Sequence, residues 1–254
     1  MNEEIKMYEK QGNWDFSDIQ CFKEYQDYWI MHDEVEKYST ENSLILDLGT
    51  AGGEKIFSQM PKNVGLIIGT DLSNKMIETA KKNSKEYLKV KVKFAVMNNL
   101  KIEFPNGLFD IVTARHTVIN AKEIYRVLNN KGVLIVRGVD KYDCWEIKKL
   151  FGRGQAYNDD IAISDKDYKD IKNAGFKDVK MTRINANEYF ETAEDLLKLL
   201  LKTPILDDFL EIRKCENIHR QSIEKELFDE YIKNNTSSKG ILLKRRYYGI
   251  VAKK

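Results

Sequence analysis

Asp47, Gly49 and Gly53 form the pattern acid-x-Gly-x-x-x-Gly within LILDLGTAGGEK, residues 44–55. A hydrophobic run that ends in clustered glycines marks a place where something approaches the backbone closely. Gly49 can take a backbone angle that a side chain forbids. Gly52 and Gly53 let the next helix start near the sheet and turn amide groups toward a ligand. The dinucleotide fingerprint G-x-G-x-x-G fails, because Ala51 and Glu54 occupy its second and third glycine positions. The phosphate loop G-x-x-x-x-G-K-[ST] fails at Glu54, which would also oppose a pyrophosphate at the helix entrance. A ligand with a cationic or zwitterionic tail fits better: Asp47 favours positive charge, and backbone amides can take a carboxylate.

Further chemistry lies downstream. Asp71 follows Asp47 by 24 residues, a spacing that suits hydrogen bonds to a ribose diol. Leu72 offers a base an apolar face. The segment Met97-Asn98-Asn99 ends a strand, and an amide side chain there can read an adenine edge because it both donates and accepts. Arg115 and His116 follow the next strand, FDIVTA. His116 is a candidate general base. The plainer readings are a histidine that holds its loop, and an arginine paired with Asp140 or with a substrate carboxylate.

The elements that position these residues alternate. Strands are expected at Ser43–Leu48, VGLIIGTDLS, VKVKFAVMN, FDIVTA, KGVLIVRGV, KDVKMTRIN and ILLKRRYYGIVAKK. Helices are expected at 53–61, NKMIETAKKNSK with Ser73 as N-cap, AKEIYRVLNN, and SDKDYKDIKNAGF with Gly175 at C′. Such alternation implies a parallel sheet covered on both faces, an α/β Rossmann-like, doubly wound arrangement. Residues 1–40 carry Phe22, Tyr25, Trp29 and Val35 at roughly helical spacing and predict one or two helices. The stretch 191–238 is too long for a hairpin and predicts an inserted helical cap. Leu196, Leu197 and Leu199–Leu201 read first as its packing stripe.

The 254 residues carry a net charge of +2, which argues against a strongly basic nucleic-acid scaffold. Three widely spaced cysteines, Cys21, Cys144 and Cys215, contain no C-x-x-C pair, so no metal site is expected. Free thiols, a polar N-terminus and no apolar run of membrane length point to a cytoplasmic protein. Oligomeric state is not legible.

LILDLGTAGGE, GTDLS, FAVMNNLKIEFPNGLFDIV and EIYRVLNNKGVLIV, in this order, resemble the class I methyltransferases that use S-adenosylmethionine, over roughly residues 40–180. The resemblance implies a seven-stranded, mostly parallel sheet with one antiparallel edge strand, to which the stretch before the last strand adds the helical cap. The chain is expected to form one domain: a helical lid (1–40), a cofactor-binding core (41–190), a cap insertion (191–238) and a last strand (239–254). The resemblance implies S-adenosylmethionine as cofactor, with Asp47, Gly49, Thr50, Ala51 and Gly53 around the methionine moiety. Asp71 would hold the ribose, and Leu72, Met97, Asn98 and Asn99 would surround the adenine. Asn98 stands where many relatives carry aspartate, and Ala51 replaces a common glycine. ARHTVINAKEIYRVLNNKGVLIVRGV resembles a branch near the ubiquinone-biosynthesis type, methyltransferase type 11, whose members often carry Arg-His after this strand. The function expected is methyl transfer to a small molecule. The alternatives are an rRNA or tRNA methyltransferase, and a cofactor-binding protein without transferase activity. A base at His116 is optional, since the sulfonium is already activated and positioning supplies much of the rate.

Overall fold

The computed structural model describes residues 16–86, 91–206 and 218–254, with side chains of the last segment from 224 onward. Its strands are β1 (Cys21–Tyr25), β2 (Leu44–Leu48), β3 (Leu66–Asp71), β4 (Val92–Val96), β5 (Phe109–Arg115), β6 (Leu128–Val139), β7 (Lys177–Phe190), β8 (Thr236–Ser237) and β9 (Gly240–Lys253). Its α-helices are α1 (Met31–Tyr38), α2 (Glu54–Gln59), α3 (Asn74–Asn83), α4 (Ala121–Val127), α5 (Trp145–Phe151), α6 (Ile163–Asn173), α7 (Ala193–Lys202) and α8 (Ile218–Asn235).

The sheet runs β1-β7-β9-β6-β5-β2-β3-β4, and β8 pairs with β9. All seven expected strands are present. β2 through β6 are mutually parallel, and β9 runs antiparallel between β6 and β7. β1 supplies the antiparallel edge. From β2 the chain steps outward through β3 and β4, then returns to place β5 and β6 on the other side. That reversal opens a crevice at the carboxyl ends of β2 and β5, where α/β sheets bind ligands.

Strand alternation divides the core. Ile45, Ile67, Ile111, Ile135 and Val251 pack under Trp29, α1 and α2 on one face. Leu46, Leu48, Val112, Val136 and Ile250 pack against α4 and α6 on the other. Two buried faces explain why these strands read as near-continuous apolar runs. Side-chain caps set helix starts: Ser73 Oγ accepts the Met76 N–H at 3.3 Å, and Asn120 Oδ1 accepts from Lys122 and Glu123 at 3.2 and 3.3 Å. Gly175, at φ 102°, follows α6 at C′ as expected.

The N-terminal segment differs from its helical expectation. Trp14 lies outside the described residues, and among those described only α1 is helical. Cys21–Tyr25 instead pairs antiparallel with Ala186–Phe190. β7 would otherwise expose an edge of unpaired amides and carbonyls. Covering that edge outweighs a weak helical period, and Phe22 stacks on Tyr189 at 6.5 Å, with Lys23 paired to Glu188 at 2.7 Å. Trp29 is a core residue; its indole leaves no room for a side chain at Gly249, where a Cβ would sit 2.4 Å from the ring. The cap stretch is helical over α7 and α8 and ends in the short strand β8. α7 and α8 join α5 around Leu196, Leu200, Ile205, Phe228 and Leu243, against the extended ends of β7 and β9. Cys215 and residues 207–217 lie outside the described residues.

Candidate functional site

The glycine loop leaves β2 at the crevice. Gly49 takes φ 70°, and a Cβ there would lie 2.7 Å from Thr117 Cβ, so the position is closed to side chains by angle and by space. Gly53 also has positive φ, at 80°, and so does Ala51, at 50°. The loop is stitched inward. Thr50 N–H donates to the Thr70 carbonyl at 2.8 Å, and Gly53 N–H donates to the Thr50 carbonyl at 3.0 Å. The Gly53 amide is thus committed to the turn, where the sequence reading aimed it at a ligand. Ala51 N–H donates to Asp71 Oδ2 at 3.0 Å, and Ser73 N–H donates to Asp71 Oδ1 at 2.9 Å. Asp71 therefore ties the loop after β2 to the start of α3 while half-exposed at the crevice. Each carboxylate oxygen can accept more than one bond, so this role and a ligand role are compatible.

Asp47 is buried, and Thr113 Oγ1 donates to its Oδ1 at 2.6 Å. Burial pushes its carboxyl above the usual range, against the hydroxyl of Thr113 and the charge of Arg115. A cation beside it would reverse that shift. Leu72 is 39% exposed, an open apolar surface beside Asp71. Met97 is buried at the end of β4. Asn98 Oδ1 accepts the Leu100 N–H at 2.8 Å, which fixes the turn that presents its exposed amide. Asn99 Nδ2 donates to Thr117 Oγ1 at 2.9 Å, and its Oδ1 is buried without a partner. A buried acceptor left unpaired at a crevice is a vacancy for a donor. Loop, acid pair, apolar ledge and orphaned amide oxygen fit an adenosine carrying a cationic amino-acid tail.

The neighbouring strand ends are basic. Arg115 ends β5 and donates from Nη2 to Gln59 Oε1 at 2.8 Å. Burial lowers its pKa to about 10, helped by the charge of Arg137 and opposed by Asp47. It does not pair with Asp140, whose carboxylate binds Ser164 and the Tyr142 N–H. His116 takes φ 50°, which breaks strand alternation and swings its ring onto the Arg115 face, stacked on Tyr247 at 5.8 Å and 4°. His116 is an exposed residue at the end of β5. Burial and the surrounding Arg115, Arg137, Arg245 and Lys55 hold it well below the ordinary imidazole value. At neutral pH it is the neutral imidazole, with one ring nitrogen able to accept a proton.

Sequence reading passed over Arg137, Lys55 and Tyr247. The Arg137 side chain is buried, with its guanidinium 4.7 Å from the Tyr247 ring centre. Its signal is visible in KGVLIVRGV: a charge embedded in an otherwise apolar buried strand calls for a partner or a ligand. A separate groove of about 360 Å³, lined by Tyr142, Trp145, Asn185 and Arg246 among others, lies on the β7–β9 side and contains none of the crevice acids.

Comparison with known proteins agrees with this geometry. Residues 46–136 match a methyltransferase domain family. Over 100 residues the chain is 35% identical to a demethylmenaquinone methyltransferase from Lactococcus lactis, covering 36% of this chain and 40% of that protein. Over 112 residues it is 37% identical to a ribosomal protein L11 methyltransferase from Dictyoglomus turgidum, covering 41% and 36%. The chain thus spans well under half the length of these curated relatives. Among solved structures, the YcgJ protein from Bacillus subtilis superposes with TM-score 0.60 at 14% identity, over 88% of this chain and 97% of that one. The [4+2]-cyclase SpnF superposes at 0.56 with 16% identity, over 88% and 80%.

Proposed function

We propose that the chain is a class I S-adenosylmethionine-dependent methyltransferase and that it transfers a methyl group from S-adenosylmethionine to a small-molecule acceptor. The observation that carries the reading is Asp71, which holds the glycine loop by the Ala51 amide and lies half-exposed between that loop and Leu72. When bound, S-adenosylmethionine supplies an electrophilic methyl group on a sulfonium. The chain's own residues do the rest. Asp47 and the turn at Gly49, Thr50, Ala51 and Gly53 receive the amino-acid tail. Asp71 accepts from the ribose hydroxyls, Leu72 and Met97 flank the base, and Asn98 and Asn99 read its edge. Arg115 and His116 stand on the acceptor side, where His116 can take a proton from an oxygen or nitrogen nucleophile. Holding that nucleophile in line within about 3 Å of the methyl carbon is the larger contribution.

The small-molecule assignment rests on the near-neutral charge and on α7 and α8, which with the N-terminal segment would wall a pocket above the crevice. The relatives' names do not choose an acceptor: one names demethylmenaquinone, the other a ribosomal protein, and both matches are confined to about two fifths of this chain. The fold alone does not fix the reaction either, since SpnF is a cyclase. An RNA acceptor predicts binding that weakens steeply with salt. A cofactor-binding protein without transferase activity predicts tight binding and no turnover. A cytoplasmic location fits the free thiols of Cys21 and Cys144, and no helix among the described residues is long and apolar enough to cross a membrane.

Calorimetric titration with S-adenosylhomocysteine tests the cofactor assignment. Asp71→Ala removes a charged acceptor and should weaken binding about 10- to 100-fold. Unchanged affinity in a folded variant would refute the ribose role.

A further inference from the structure

We propose that the acceptor bears an oxyanion, a carboxylate or a phosphate, and that Arg137 together with Arg115 binds it. This rests on the reading above that the acid-rich end of the crevice takes the methyl donor. Arg115 and Arg137 lie directly opposite each other in the parallel register of β5 and β6, and so share a sheet face. Two residues back on the same face the strands carry Thr113 and Ile135, both fully buried. Charge therefore appears only where the strands open into the crevice.

Neither arginine has the direct carboxylate bridge found elsewhere in the fold, although the charge of Asp47 reaches Arg115. Arg245, on the same face, is gripped by Asp143 at 2.9 and 3.1 Å and by Glu188 at 2.8 Å. Arg137 is only 9% exposed, pairs with no carboxylate among the described residues, and has its Nε buried without a hydrogen-bond partner. Its guanidinium lies over the face of Tyr247, which attracts the cation but accepts no conventional hydrogen bond. Arg115 meets the neutral Gln59. Lys55 adds a third cation, lowered by burial and by Arg115. Buried guanidinium groups that repel one another are costly unless an anion completes them. Arginine's planar fork is suited to both carboxylate and phosphate.

The crevice is thus graded along the strand ends. Asp71 and Asp47 occupy the β3–β2 end; Arg115 and Arg137 occupy the β5–β6 end. A cationic donor belongs to the first and an anionic acceptor to the second, which places the methyl-accepting atom between them, near His116. Tyr25, 55% exposed and close enough to Arg115 to raise its pKa, gives the mouth an aromatic rim.

The test follows the His116 ring by NMR in protein saturated with S-adenosylhomocysteine, assigned with His116→Gln, while benzoate or inorganic phosphate is added against a chloride control of equal ionic strength. One of the two should give a saturable shift that chloride does not, and the tighter binder identifies the group. Arg137→Gln should weaken that anion at least about tenfold while moving S-adenosylhomocysteine affinity less than about twofold, and Arg137→Lys should recover part of the loss. Arg115→Gln serves as the second variant if the buried substitution fails to fold. No saturable shift with either anion would overturn the proposal. So would an Arg137→Gln loss that falls on S-adenosylhomocysteine, since the arginine would then serve the cofactor's own carboxylate. If the protein does not bind S-adenosylhomocysteine at all, the cofactor reading fails, and the same titration of the free protein still decides the anion site.

Discussion

Asp47 is enclosed by Thr113 and the end of β2, and burial raises its carboxyl above the roughly 3.9 of an unfolded aspartate. The folded state therefore holds its proton more tightly than the unfolded one. Stability from this group is greatest in acid and is lost as pH rises through the raised folded value. Asp47→Asn should raise the melting temperature of the cofactor-free protein more at pH 8 than at pH 5, and weaken S-adenosylhomocysteine. An equal or lower melting temperature at pH 8 would mean that the carboxylate is already satisfied as an anion. His116 carries the opposite shift, lowered by burial and four cations. If it acts as base, the acid limb of the kcat profile lies below the ordinary imidazole range of about 6.5. His116→Gln should abolish that limb and lower kcat about 10²- to 10⁴-fold, with little change in cofactor affinity. A variant that keeps both rate and limb would leave the ring a purely structural role against Tyr247.

The elements around the crevice were legible to different degrees. The glycine loop, Asp71 and the strand that ends at Met97 follow from local patterning, because a buried parallel strand must be apolar and its exit must turn. Arg115 and His116 were legible as a pair at a strand end, but the swing of His116 onto Tyr247 was not, since a positive φ at a histidine leaves no trace in periodicity. β1 was misread as helix because its pairing with β7 joins residues about 165 apart, such as Lys23 and Glu188, and no local signal encodes such a contact. That edge is fastened by a buried charge network. Arg245 bridges Asp143 and Glu188, and Asp143 Oδ1 also accepts the Arg246 N–H at 2.7 Å. Burial alone would raise Glu188, but Arg245 and Lys23 hold it below the usual range. Its contribution is therefore present above the unfolded carboxylate value and lost as pH falls through the folded one. Asp143→Ala leaves Arg245 with Glu188 alone and unpairs its Nε and Nη2, and should cost about 3–5 kcal/mol in denaturant unfolding. A loss below about 1 kcal/mol would mark the network as solvent-screened.

At the scale of the whole molecule, the sheet order places an acidic strand pair and a basic strand pair on opposite sides of one topological switch. The acidic side carries the glycine loop, Asp71 and the Met97 strand end, and that half was readable from sequence. The basic side assembles from β5, β6 and β9, with Tyr247 brought beside Arg137 only by the antiparallel return of the last strand. Its composition in sequence is scattered, so the acceptor half stayed obscure. α7 and α8 pack with α5 against the ends of β7 and β9. Methyl-labelled S-adenosylmethionine, incubated with the protein and a cell extract separated into small-molecule, RNA and protein fractions, tests the central claim most directly. Label in an anionic compound of the small-molecule fraction is the predicted result. Label confined to RNA or protein would contradict the small-molecule assignment, and no transfer to any fraction despite measured cofactor binding would contradict methyl transfer itself.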